Sequence, residues 1–247
     1  MRFMVMHKVD ANMEAGGPPS QDIIARMGEL VQGSLQRGEF LNGAGLHRSA
    51  RRARLEQKAG ETTVTTGPYA GQNELVAAFT MISAASMDAA IGHARTLASS
   101  LGGDVEIEIG PVVEAWDLGL IPKPEKAPER FLLLTKASAA DESAASGAKH
   151  AAAVKKLAAS FQGNAAVLAA DSLAPSAKGA RLRAVEKGAK PVWVDGPFAE
   201  SKELIAGFSL LQVPSKAEAL KWADRYAEVL VDAEVDVREV NEAESAP

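Results

Sequence analysis

The chain has no cysteine among its 247 residues, which excludes disulfide scaffolds, zinc ribbons and thiol catalysis, because each needs a sulfur. Aromatic side chains make up only 5% of it and histidines number four. His7, His47, His93 and His150 are scattered, without the i, i+4 spacing that makes a metal site, so no intrinsic metal is expected. No nucleophile elbow, phosphate loop or dinucleotide fingerprint is present, and Gly43-Ala44-Gly45 lacks both a third glycine and a following helix, so no cofactor is expected either. Positive charge is in short supply: 27 basic residues against 32 acidic ones leave a net charge of −5, the wrong sign for a nucleic-acid partner. Long apolar runs are missing as well. The opening FMVMHKV is broken by His7 and Lys8, too short and polar for a signal peptide or a membrane span, so a cytoplasmic protein with no membrane partner is expected.

What the sequence does contain is an internal repeat, which decides the fold before anything else does. RFMVMHK from Arg2 returns as RFLLLTK from Arg130, and LHRSARRARL from Leu46 returns as LAPSAKGARL from Leu173. GPYAGQNELVAAF from Gly67 returns as GPFAESKELIAGF from Gly196, and DVEIEIGPV from Asp104 as DAEVDVREV from Asp232. Four blocks in one order at a nearly constant offset make the chain a duplication. Pro122, Pro124 and Pro128 stiffen the segment between the copies. The copies are therefore placed at residues 1–118 and 130–247, with a connector at 119–129.

Each copy has the same grammar. Its opening strand is apolar on both faces, as a central strand covered on both sides would be. Helices are expected from about Gln21 to Arg37 and from about Gly147 to Phe161, with Ile23, Ile24, Met27, Leu30, Val31 and Leu35 at helical spacing. A second helix starts at Ser86 in one copy, with Asp88 in its first turn, and at Ser215 in the other, with Glu218 three residues on. The last strand alternates, Val105, Ile107 and Ile109 against Glu106 and Glu108, and Val235 and Val237 against Glu234 and Asp236. That pattern puts the acids on a solvated face. The order β-α-β-β-α-β predicts an α+β fold of two tandem ferredoxin-like repeats. Both helices on one sheet face leave the other bare, so the repeats are expected to pack sheet to sheet as a pseudo-twofold α+β barrel with a cleft between the sheets.

The most informative segment is WVDGPFAESKELIAGF, Trp193 to Phe208. Together with Leu173 to Ser176 and the helix from Ser215, it resembles the Asp-Gly-Pro-Phe signature of the YCII-related (DGPF) family, similar to YciI-like proteins of the dimeric α+β barrel superfamily. The second copy carries Asp195, Gly196, Pro197, Phe198, Glu200, Lys202 and Glu203. The first keeps Gly67, Pro68, Tyr69 and Glu74 but has Thr66, Gly71 and Asn73 where the other has Asp195, Glu200 and Lys202. Any chemistry of the motif is therefore expected in the second copy. The resemblance also implies a His-Asp pair with the histidine near the first helix, for which His150 with Asp195 is the available match, although position alone reads His150 as helix surface.

Two functions follow as expectations. One is a module that binds a small molecule or a protein; the resemblance adds a regulatory role, since genes of the family often neighbour extracytoplasmic-function sigma factors. The other is a small-molecule enzyme of isomerase, hydrolase or oxygenase type. In that case Asp195, Glu200, Glu203 and His150 would supply acid and base, with Arg181, Lys202, Phe198, Trp193 and His7 binding the substrate. The basic run HRSARRARLEQK, with Arg48, Arg51, Arg52 and Arg54, reads as a solvated hairpin, while Arg54 and Arg181, recurring at one repeat position, could line a cleft or pair with a carboxylate.

Overall fold

The computed structural model describes residues 1–9, 11–72, 75–125, 127–143, 147–163, 165–182, 192–198, 204–230 and 234–241. In the first copy the elements run β1 (Arg2–Lys8), α1 (Ala11–Glu14), α2 (Gln21–Gln36), β2 (Phe40–Gly45), β3 (Ala53–Lys58), β4 (Glu61–Thr66), β5 (Val76–Ala84), α3 (Met87–Leu101) and β6 (Val105–Pro111). The second copy repeats them as β7 (Glu129–Lys136), α4 (Ala139–Ser143), α5 (Gly147–Ser160), β8 (Ala166–Ser172), β9 (Ala180–Leu182), β10 (Trp193–Asp195), β11 (Ile205–Gln212), α6 (Lys216–Leu230) and β12 (Val235–Glu239). The expected starts hold: Ser20, Ser86 and Ser215 each accept a hydrogen bond from the backbone N–H three residues on, satisfying a donor the first turn cannot.

The strands form two six-stranded antiparallel sheets, ordered β10-β9-β12-β1-β11-β2 and β4-β3-β6-β7-β5-β8. Each sheet is composite, which corrects the expectation that each copy closes its own. β1 and β2 of the first copy lie in the sheet of β9 to β12, with Val5 opposite both Ser209 and Val237. β7 and β8 of the second copy lie in the other sheet, with Leu133 opposite both Thr80 and Ile109. The opening β-α-β of each copy is thus traded for that of the other. The expected barrel is corrected too: both sheets are open.

The helices cover the outer faces. Ala94, Leu97 and Leu157 pack with Leu55, Ile107 and Leu133 on one sheet, and Trp222 and Tyr226 with Phe3, Val5 and Val237 on the other. Between the sheets Met4, Met6, Phe79, Leu134, Phe208 and Leu210 join in a single apolar cluster, with the Phe79 and Phe208 rings 6.4 Å apart. Where a cleft was expected there is packed core. Each such side chain contributes roughly 1.5–3 kcal/mol by leaving water, so the sheets are held face to face by apolar contact.

This layering overturns one reading of the alternating strands. Ile107 and Val237 face the helices, so Glu108 and Asp236 face inward, and they are 1% and 2% exposed. A period of two separates the faces of a strand without showing that either is wet. Among the described residues no helix is long and apolar enough to cross a membrane.

Candidate functional site

Two polar clusters sit on the inner faces of the sheets at related positions. In one, Arg181 holds Asp236 with two hydrogen bonds, Nε to Oδ1 at 2.6 Å and Nη2 to Oδ2 at 2.9 Å. Lys8 from the first copy brings its Nζ to 3.3 Å from Asp236 Oδ2. In the other, Glu108 accepts from Arg52 Nη1 at 2.7 Å and lies 3.3 Å from Lys136 Nζ and 3.7 Å from Arg54 Nη2. Burial alone would raise the pKa of both carboxyl groups. The cations outweigh it, Lys136, Arg52 and Arg54 holding Glu108 down at about 2 and Lys8 and Arg181 holding Asp236 below the ordinary aspartate range.

The Gly-Pro-aromatic turn caps each cluster. Arg181 lies under the Phe198 ring, 4.6 Å from its centroid, and Arg54 under Tyr69 at 4.5 Å, a cation–π contact. The peptides Gly67-Pro68 and Gly196-Pro197 are both cis. Each turn presses on the short 3-10 turn ahead of β3 or β9: a Cβ on Gly196 would stand 1.9 Å from the Ser176 carbonyl oxygen, and one on Gly67 1.8 Å from that of Ser49. Ser176 Oγ accepts from Phe198 N at 3.1 Å and Ser49 Oγ from Tyr69 N at 3.4 Å. Behind them Glu142 accepts from Ser176 N and Glu14 from Ser49 N. What recurs in both copies is therefore a clamp running glutamate, serine, aromatic, arginine, carboxylate, lysine.

The remaining candidates are spread apart. Asp195 has its side chain 81% exposed and pairs with Lys216 Nζ at 2.8 Å, a surface ion pair worth about 0–1 kcal/mol. His150 is buried, not on the surface as its position suggested, and its Nε2 lies 3.2 Å from Thr80 Oγ1 beneath α5. Burial lowers its pKa to about 4, and it belongs to the opposite sheet from Asp195. Trp193 Nε1 donates to Asp224 on α6 at 2.7 Å. His7 turns to the helix layer, with Nδ1 2.7 Å from the Tyr226 hydroxyl. Glu200, Lys202 and Glu203 lie outside the described residues. The basic run folds as a hairpin, but Arg52 and Arg54 are buried in it rather than solvated.

A chamber of about 570 Å³ opens elsewhere, at the end of the sandwich where residues 45–52 carry the chain from β2 in one sheet to β3 in the other. Its apolar wall includes Val9, Met13, Ile23, Leu46 and Leu118 of the first copy and Leu230 of the second. Its polar wall holds Lys8, Arg48, Arg51, Arg52, His7, His47 and Asp117. His47 Nε2 lies 3.2 Å from Asp117 Oδ2 and Arg51 Nη1 3.0 Å from both ring nitrogens. Burial and then Arg51 hold the imidazole pKa below its usual value despite Asp117. Sequence reasoning expected the functional cavity in the second copy; this chamber is built almost wholly by the first. Lys8 and Lys136 had one usable signal, a lysine closing both copies of the opening strand. His47 and Asp117 are 70 residues apart and carried none.

Residues 1–107 and 130–242 match the YCII-related domain, one match on each copy. No curated protein and no solved structure matches the chain.

Proposed function

The chain belongs to the YCII-related domain family, and from that premise we propose that it is a small-molecule-binding protein whose ligand occupies the chamber beside β1. The observation that carries this reading is the chamber itself. Its volume of about 570 Å³ lies within the roughly 300–1,000 Å³ of small-molecule sites, and it joins an apolar wall to a few convergent polar groups as such sites do. The exposed Asp195 favours a structural part for the turn: the motif seats an aromatic ring on Arg181 and so stiffens the sheet on which Lys8 is presented.

The test is a panel of small organic molecules screened by saturation-transfer NMR on the chain and on Ile23→Trp, which adds bulk to the apolar wall of the chamber. Ligands of the unmodified chain should bind the variant at least about tenfold more weakly. Equal binding to both proteins would refute the reading.

A second reading, an acid–base enzyme, draws on His47 and Asp117 in the same wall. A neutral imidazole oriented by a carboxylate can accept a proton near pH 7. This would move the chemistry from Asp195, Glu200 and Glu203 of the second copy to the first. Turnover of a bound molecule that His47→Gln abolishes while binding survives would support it; binding without turnover in the unmodified chain leaves the first reading alone.

A further inference from the structure

We infer that the ligand is an organic oxyanion, a molecule with an apolar body and one carboxylate- or phosphate-like group held by Lys8 and Arg52. The inference rests on the chamber being the ligand site and adds the chemical class of its occupant. Arg52 is anchored at two points, Nε donating to the His47 carbonyl at 2.5 Å and Nη1 to Glu108 at 2.7 Å. Its side chain has no exposure, and Nη2 is buried without a hydrogen-bond partner among the described residues. Lys8 is equally buried: its side chain is 2% exposed, and its Nζ, with three N–H donors, has the Asp236 carboxylate at 3.3 Å as its ion-pair partner among the described residues.

A buried guanidinium N–H left without an acceptor is costly, and buried polar groups are nearly always paired. Both residues line the chamber, with these donor atoms covered just behind its wall. They come from different sheets, Lys8 from β1 and Arg52 from the turn into β3, so an anion touching both would tie the two together. The charge of the wall agrees. Lys8, Arg48, Arg51 and Arg52 line it with Asp117 as the one carboxylate among its lining residues, in a chain whose net charge is −5. A guanidinium fixed at two points presents its remaining N–H at little entropic cost, which suits a planar or tetrahedral oxyanion. The apolar wall of Met13, Ile23, Leu46 and Leu230 gives the rest of the molecule a dry seat.

The experiment is a fluorescence titration with two dyes of one body, anionic 1-anilinonaphthalene-8-sulfonate and neutral N-phenyl-1-naphthylamine. It is run on the chain, Arg52→Met, Lys8→Met and Ile23→Trp, with thermal melts confirming that each is folded. The anionic dye should bind the unmodified chain at least about tenfold more tightly. Either methionine variant should collapse that preference towards unity while keeping the neutral dye, and Ile23→Trp should weaken both. Because Arg52→Met also removes a partner of Glu108 and Lys8→Met one of Asp236, agreement between the two variants, which disturb different sheets, separates the loss of the anion from the loss of either pair. Displacement of the anionic dye by 1-naphthoate or by 1-naphthyl phosphate then separates a carboxylate from a phosphate ligand. Equal affinity for the two dyes, with both weakened by Ile23→Trp, would overturn the oxyanion and leave the chamber reading standing. Dye binding indifferent to Ile23→Trp would overturn the chamber reading and this inference with it.

Discussion

Asp195 and Gly196 are neighbours in the motif and differ sharply in what they hold. Among the described residues the Asp195 side chain reaches only Lys216 at the surface, so Asp195→Ala should cost less than about 1 kcal/mol of stability. Any Cβ on Gly196 meets a backbone carbonyl that cannot swing aside, so Gly196→Ala should cost about 3 kcal/mol or more; urea unfolding of the two variants measures both. His150 makes a pH prediction at the same scale. Its folded-state pKa of about 4 lies below the roughly 6.5 of an unfolded histidine, so the unfolded chain binds the proton more readily. The stability it protects is complete above about pH 6.5 and is lost as pH falls towards 4. For this group alone the loss between pH 7 and pH 5 is about 2 kcal/mol. In His150→Leu the fall in unfolding free energy over that interval should shrink by about that amount, and an unchanged slope would count against a neutral buried imidazole.

At the scale of paired strands, the copies reach one arrangement by different substitutions. Where the first copy has Arg52 facing Gly110, the second has Gly179 facing Arg238, one step beyond the pairs Ala53–Ile109 and Ala180–Val237. Arg52 reaches the His47 carbonyl and Arg238 reaches the corresponding Ala174 carbonyl at 2.6 Å. The guanidinium keeps its place although its strand has changed. A Cβ on Gly110 would meet Leu46 at 3.5 Å, ordinary contact, so the exchange can be imitated. Arg52→Gly alone should cost about 3–5 kcal/mol, as breaking a buried pair does, and adding Gly110→Arg should recover more than half of it in a double-mutant cycle. Such elements also mark how far the sequence could be read. The repeat, the capped helices and the strand alternation were legible because each is a local pattern with its own period. The burial of Glu108, Asp236 and Arg52 was not, because a second sheet covers them and no local period records a neighbour distant in sequence. The recurring lysine of β1 and β7 was visible, but its carboxylate partner belongs to the other copy.

For the whole molecule, the exchange of opening elements ties architecture to site. It brings Lys8 of the first copy onto Asp236 of the second, and it sends residues 45–52 across from one sheet to the other, where the chamber opens. Residues 1–118 and 130–247 made as separate chains should each self-associate, since each lacks the strand of the other copy that lies between its own last two strands, and co-expression should recover a soluble one-to-one complex. Sequence could expose the duplication but not the exchange, because a strand of the other copy satisfies the same pattern at the same register. The absence of native cysteine allows the exchange to be measured with paired cysteines, since cross-strand neighbours lie within disulfide reach. Val5 faces Ser209 across β1 and β11, whereas unexchanged copies would set Val5 against Thr80 on β5. Under mild oxidation Val5→Cys with Ser209→Cys should form an intramolecular disulfide in nearly every molecule, and Val5→Cys with Thr80→Cys should form none; the reverse result would contradict the exchange and the chamber position built on it.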